Sequence, residues 1–165
     1  MISTRLKDYL DNSGVAYTCH PHPTAYTSQE IAQSSHVPGR EMVKAVILRT
    51  EEGALVVAAL SANDTADLDI LRKEIGCRVL RLAKEHEFGD AFPTCELGGM
   101  PPFGNIFDLA TYCDQDISKN REIEFNAGTH AETIRMSFDD FKRLVNPKVL
   151  HFAQLHGEDA QRLAA

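Results

Sequence analysis

The sequence predicts an α+β fold: a single compact domain whose central mixed, curved (barrel-like) β-sheet is flanked by helices. Three observations point there. Strand-length runs rich in Val, Ile, Leu and Ala outnumber segments of helical period. Two of those runs, 42–49 and 54–60, are joined by the short turn Glu51-Glu52-Gly53 and read as a hairpin, whereas others are separated by helical segments that require crossovers. The 165 residues contain no repeat, low-complexity tract or linker, and suit one domain, 1–165, with a substantial core.

From the N-terminus, Leu6, Tyr9 and Leu10 have helical spacing after Ser3/Thr4, and Asn12-Ser13-Gly14 ends that helix. Val15, Tyr17 and Cys19 alternate as in a short strand. His20-Pro21-His22-Pro23 reads as loop or extended chain, because each proline lacks a donor and restricts the residue before it. Thr27-Ser28-Gln29-Glu30 is a capping box for a helix through Ile31 and Ala32, closed by Val37-Pro38-Gly39. After the hairpin, Asp64 or Thr65 caps a helix carrying Leu68, Leu71 and Ile75, which Gly76 terminates. Residues 77–82 read as a strand and Ala83–Phe88 as a short helix. Further strands are expected near 109–113, 122–126 and 132–136. Ser137 then caps a helix presenting Phe138, Phe141, Leu144 and Val145 on one face, stopped by Asn146-Pro147, and the tail after about residue 152 is polar.

A formal net charge of −7 argues against broad, nonspecific coating of nucleic acid, though Arg40 and Lys44 can seed a small basic patch that grips one end of an RNA. No apolar run spans a bilayer and the first residues lack a signal-peptide core, so a cytoplasmic protein with no membrane partner is expected. Cys19, Cys77, Cys95 and Cys113 form no C-x-x-C pair and read as free thiols.

Three segments carry chemistry. Lys44 sits inside the apolar run Met42–Leu48, where an ammonium needs an anion, water or loss of its proton. A phosphate-bearing substrate is one such anion. Gly98-Gly99-Met100-Pro101-Pro102-Phe103-Gly104 combines glycines that let a ligand approach the backbone with prolines that stiffen the middle; the bland alternative is a tight connection with Phe103 plugging the core. Asn126-Ala127-Gly128-Thr129-His130 falls between two alternating runs, so Gly128 and His130 lie at a turn where an amide and an imidazole can meet a ligand; a plain hairpin turn with an exposed histidine is equally consistent. His20, His22 and Cys19 lack the second ligand pair that a structural zinc needs, and Asp64, Asp67 and Asp69 are helix-start residues rather than a metal cluster.

Taken in order, His22-Pro23-Thr24-Ala25-Tyr26-Thr27, Lys44, the G-x-x-x-P-F-G pattern at 98–104, and N-A-G-T-H followed by I-R-M at 126–136 resemble the YbaK/prolyl-tRNA synthetase-associated domain family of aminoacyl-tRNA deacylases. The likeness runs from about His22 to Phe152. It implies hydrolysis, in trans, of the ester joining a wrong small amino acid to the 3′-terminal adenosine of a tRNA, often tRNA for proline. It implies Lys44, Gly128 and His130 at the catalytic centre, with Lys44 anchoring the tRNA 3′ end. Tyr26, Gly98, Gly99, Met100, Pro101, Pro102, Phe103, Gly104 and Thr129 then surround the substrate.

An aminoacyl ester is already activated, so backbone oxyanion donors and help from the substrate 2′-hydroxyl suffice without metal or cofactor. The aminoacyl-tRNA acceptor end is the implied partner, an aminoacyl-tRNA synthetase a further one, and both monomer and dimer remain open. Two departures stand out. Ala45 occupies a position that is asparagine in the alanine-specific relatives, and Pro101 precedes Pro102 where some relatives have Ser or Thr. These leave alanine, cysteine, serine, threonine and nonprotein amino acids open as substrates, and leave a noncatalytic aminoacyl-tRNA-binding or regulatory module as the alternative.

Overall fold

The computed structural model describes residues 2–34 and 36–155. Helix α1 (Thr4–Ser13) buries Leu6 and Leu10 and ends at Gly14 in the left-handed conformation. Strand β1 (Tyr17–Pro21) leads to α2 (Ser28–Ser34) and the hairpin β2 (Met42–Thr50) and β3 (Leu55–Ser61). Next come β4 (Asp64–Ala66), α3 (Leu68–Ile75), β5 (Leu80–Leu82) and α4 (Glu85–Phe88). The last part holds β6 (Ala110–Asp114), β7 (Glu122–Asn126), β8 (Glu132–Ser137), α5 (Phe138–Val145), β9 (Lys148–Leu150) and β10 (Ala153–Leu155).

Eight strands form one mixed sheet in the order β1-β8-β7-β2-β3-β6-β9, with β5 also paired to β2; β10 and β4 form a separate two-stranded ribbon. Three pairings are parallel, β2 with β7, β3 with β6 and β6 with β9. The sheet is open, with β1 and β9 as its edges, and does not close into a barrel. One face packs Val43, Phe125, Ile134 and Met136 against α1 and α5. The other carries Leu48, Ala58 and Leu60 under Leu71 of α3 and Phe152. A third cluster gathers Ile47 and Val57 with Phe92, Met100 and Phe107. Among the described residues, no helix is long and apolar enough to cross a membrane.

Helix caps follow the sequence closely. Ser137 accepts from Asp140 N–H, Gly76 closes α3 in the left-handed region, and Glu30 N–H donates to Thr27 Oγ1. His20 and Pro21 take the extended alternative and close β1, an edge strand with Pro21 as its last residue, where a missing donor is tolerated. One expectation is corrected. The cap of α3 is Asp67, which accepts from Asp69 and Ile70 N–H, not Asp64 or Thr65; those two belong to β4, paired to β10. That pairing orders the chain past residue 152, and the remaining tail, 156–165, lies outside the described residues.

Candidate active site

Strand β2 has an interrupted edge. On the β3 side, Met42 O accepts from Ala62 N–H and Thr50 N–H donates to Ala54 O, so by strand alternation the even-numbered residues bond β3. On the other side, pairing with β7 stops at Val43, and β5 takes over at Leu48, with Ile47 O accepting from Ala83 N–H. Ala45 N–H and C=O therefore point into a gap between two strands.

Lys44 flanks this gap. Its side chain lines a cavity of about 270 Å³ with Val46, Thr65, Ala66, Leu68 and Leu82, on the α3 face of the sheet. It makes no hydrogen bond or ion pair with another described residue. Burial pulls its pKa below the ordinary lysine value, and the Asp64 carboxylate partly opposes this.

The glycine loop approaches from the opposite face, where Met100 packs with Ile47 and Ala45. It is folded onto the 126–130 segment. Glu96 N–H donates to Gly128 O at 2.8 Å, and the Glu96 carboxylate accepts from His130 N–H at 3.0 Å. Gly98 takes φ +85°, and Gly128 φ +91°. A Cβ on Gly99 would lie 2.8 Å from the Thr129 carbonyl carbon, so glycine is needed for this close approach. His130 Nε2 donates to Leu97 O at 2.7 Å, since a carbonyl only accepts. In the neutral ring its Nδ1 is then an acceptor, buried and without a partner among the described residues. Tyr26, 71% exposed, packs on the His130 ring with centroids 4.8 Å apart.

The structure thus brings Tyr26, Gly98, Gly99, Gly128, Thr129 and His130 into one cluster, with Lys44 reaching the strand gap from the other face. Pro101 and Pro102 are buried beneath the loop. Phe103 is fully buried against Phe125 and Phe141, in keeping with a core plug, and Gly104 is packed against Thr111 and Leu109. The N–H groups of Gly98 and Gly99 are already engaged, by Met100 Sδ and Glu96 O. Among the described residues, those of Gly128 and Thr129 make no internal hydrogen bond. Among the described residues, the unengaged backbone N–H groups therefore lie at Ala45, Gly128 and Thr129 rather than at the paired glycines.

Sequence reasoning missed Glu96, which holds the His130 backbone, and the Ala45 backbone, whose freedom depends on where neighbouring strands stop. Cys19 and His20 point to opposite faces of β1, toward Glu132 and Glu124, and cannot share a metal. Among the described residues, only Asp114, Asp116 and His151 cluster with metal-like spacing. There Asp114 is occupied by the N–H groups of Asp116, Phe152 and Ala153.

Fold and site together define a small α+β domain that can hold an anionic ligand end beside free backbone donors. The chain belongs to the aminoacyl-tRNA editing domain family, whose model matches residues 22–144. It is 25% identical over 152 residues to the multifunctional Ser/Thr-tRNA deacylase ProXp-y of Escherichia coli K12, covering 90% of each chain. Its fold is similar to a solved structure described as a candidate trans-editing enzyme for prolyl-tRNA synthetase, with TM-score 0.80, 22% identity, and 94% and 97% of the two chains covered. A hypothetical protein of known structure superposes with TM-score 0.82 at 15% identity, over 91% of this chain and 99% of the other.

Proposed function

We propose that this protein hydrolyses, in trans, the ester between a small amino acid and the 3′-terminal adenosine of a mischarged tRNA, tRNA for proline being the first choice. The observation that carries this reading is the gap in β2, with the free Ala45 N–H inside it and beside it a half-buried Lys44 that makes no hydrogen bond or ion pair with another described residue. Lys44 anchors a phosphate of the acceptor end, a point-charge role suited to an ammonium. Tyr26 offers an exposed ring beside His130 for the terminal nucleotide.

Water attacks the ester carbonyl, and the negative charge gathering on its oxygen is met by fixed backbone donors. The bond to the ribose 3′-oxygen breaks, and a proton from the attacking water ends on that oxygen, relayed by the 2′-hydroxyl. His130 Nδ1 supplies an acceptor that steadies the water or the hydroxyl. The kinship with a Ser/Thr-tRNA deacylase supports serine and threonine among the small side chains accepted, a size limit that belongs to the second sieve of editing.

The test is a deacylation screen with alanine, serine, threonine and cysteine mischarged onto tRNA for proline and for alanine. At least one pair should be cleared by the wild type, and Lys44→Ala should lose activity through raised KM with its fold intact. Full activity in Lys44→Ala would remove the anchoring role. Saturable binding with no hydrolysis of any pair would replace the enzyme reading with a noncatalytic binding module.

A further inference from the structure

One face of the β1-β8-β7 sheet is polar and, at Thr133, Glu124 and Asn126, covered. His20 aligns with Thr133, and Thr133 with Asn126. Diagonal to this row lies Glu124, aligned with Met42 of β2. Continuing the β2–β7 register by one step would set Lys44 beside Asn126, so the row reaches the gap. Met42 and the loop residue Ala25 pack with Ile31 and Ala32 of α2, which roofs the edge of this face. Glu124 is 0% exposed and Asn126 6% exposed.

Their hydrogen bonding is incomplete. Glu124 Oε1 is 2.7 Å from His20 Nδ1, but Oε2 is buried with no partner among the described residues. Arg135, opposite Glu124 in the ladder, is turned away to Glu41 and Glu122. Asn126 Oδ1 is likewise buried and unpartnered. So is His22 Nε2, an acceptor in the neutral ring, where Nδ1 donates to Pro23 O. Leaving a buried acceptor unmade costs about 1–3 kcal/mol, and more for a charged group. Three such acceptors on one face, one of them a carboxylate, call for a donor carrying positive charge.

We infer that Glu124 and Asn126, with His22 at the margin, form the subsite for the α-ammonium of the aminoacyl group. This deepens the proposed function and rests on it. A primary ammonium brings three N–H donors and the charge that the carboxylate lacks. Asn126 ends β7, and the turn that carries the unengaged Gly128 and Thr129 N–H groups follows it directly in the chain. Lys44 projects from this same face but makes no hydrogen bond or ion pair with Glu124 or Asn126; it lines the neighbouring cavity with Thr65 and Leu68 near Asp64, which leaves these acceptors for the amino end of the ligand. Every aminoacyl-tRNA carries this ammonium, so the subsite recognises the class and leaves side-chain choice to the rest of the pocket.

The experiment is calorimetric titration of the protein with 3′-(seryl)amino-3′-deoxyadenosine 5′-phosphate, an unhydrolysable amide, and with its N-acetyl form. The free amine should bind about 10- to 150-fold more tightly, the range of a charge-assisted hydrogen bond. Glu124→Gln, nearly isosteric, should shrink that preference to about threefold or less while binding of the N-acetyl form stays near wild type. Equal binding of the two compounds by the wild type would overturn the subsite and leave the deacylase reading standing; ordered water alone would then fill the face. Binding of neither would remove the reading of the site itself, and the subsite with it. If Glu124→Gln fails to fold, the wild-type pair of titrations still decides.

Discussion

Substituting Gly99 with alanine tests whether the glycine loop and the 126–130 turn act as one unit. The new Cβ would lie 2.8 Å from the Thr129 carbonyl carbon, 2.9 Å from its oxygen and 3.1 Å from its Cα. All three are backbone atoms, so no rotamer change relieves the clash. Carbon atoms settle at about 3.5–4.0 Å, so loop and turn must part by roughly half an ångström or more. Overpacking of this kind costs about 1–3 kcal/mol, which in a domain of this size lowers Tm by about 2–12 °C. Because the moving parts carry His130 and the Gly128 and Thr129 N–H groups, kcat/KM for deacylation should fall by about tenfold or more, as expected when reacting groups are misplaced by less than an ångström. Gly14→Ala is the control: Gly14 has φ +69° and nothing within 4 Å. It should cost about 1–2 kcal/mol through its backbone conformation and leave kcat/KM unchanged. Thermal melts and single-turnover deacylation of Ser-tRNA measure both. Wild-type kcat/KM in Gly99→Ala, or parallel losses in the two variants, would refute the coupling.

Three further outcomes are expected. Phe103→Ala should destabilise by about 3–5 kcal/mol in urea unfolding, since the ring is fully buried between Phe125 and Phe141; a loss under 1 kcal/mol would show that the loop is not anchored there. NMR titration of ¹³C-methylated lysines should place Lys44 below its ordinary 10.5, and Asp64→Asn should lower it further by removing the one carboxylate that opposes burial. Since the unfolded chain then binds more protons between the native pKa and 10.5, this residue's contribution to stability should grow as pH rises through that window; an upward shift in Asp64→Asn would contradict the assignment. Cys113, buried and with its thiol pushed up to about 12, should resist a thiol reagent at pH 8 until the chain unfolds, whereas exposed Cys19 should react in the native state.

Much of the fold was legible because local chemistry decides it. Gly14 and Gly76 stop their helices, Ser137 starts one, and the alternation Ile123/Phe125 and Ile134/Met136 aims those residues at the core. What could not be read depends on distant partners. Asp64–Ala66 becomes a strand only because Ala153–Leu155 pairs with it. The polar half of the β7 alternation, Glu124 and Asn126, has the pattern of a solvated face, and its burial reflects what covers it rather than its own sequence. Lys44 was conspicuous as a charge in an apolar run, but its cavity and the bare backbone beside it follow from where β7 and β5 stop. The motif Gly98–Gly104 divides in two: its first half faces the turn and its second half is core.

The short gap in β2 also bears on solubility. An unpaired strand edge is a template on which other chains can polymerise, and proteins commonly guard it with charge, bulges or covering segments. Here the bare stretch covers only Lys44 to Val46, about 10 Å of strand at roughly 3.3 Å per residue. A foreign strand would find a single residue with outward-facing backbone groups between two occupied flanks, too few rungs to dock. At this gap the strand keeps main-chain donors open without offering a nucleus for self-association.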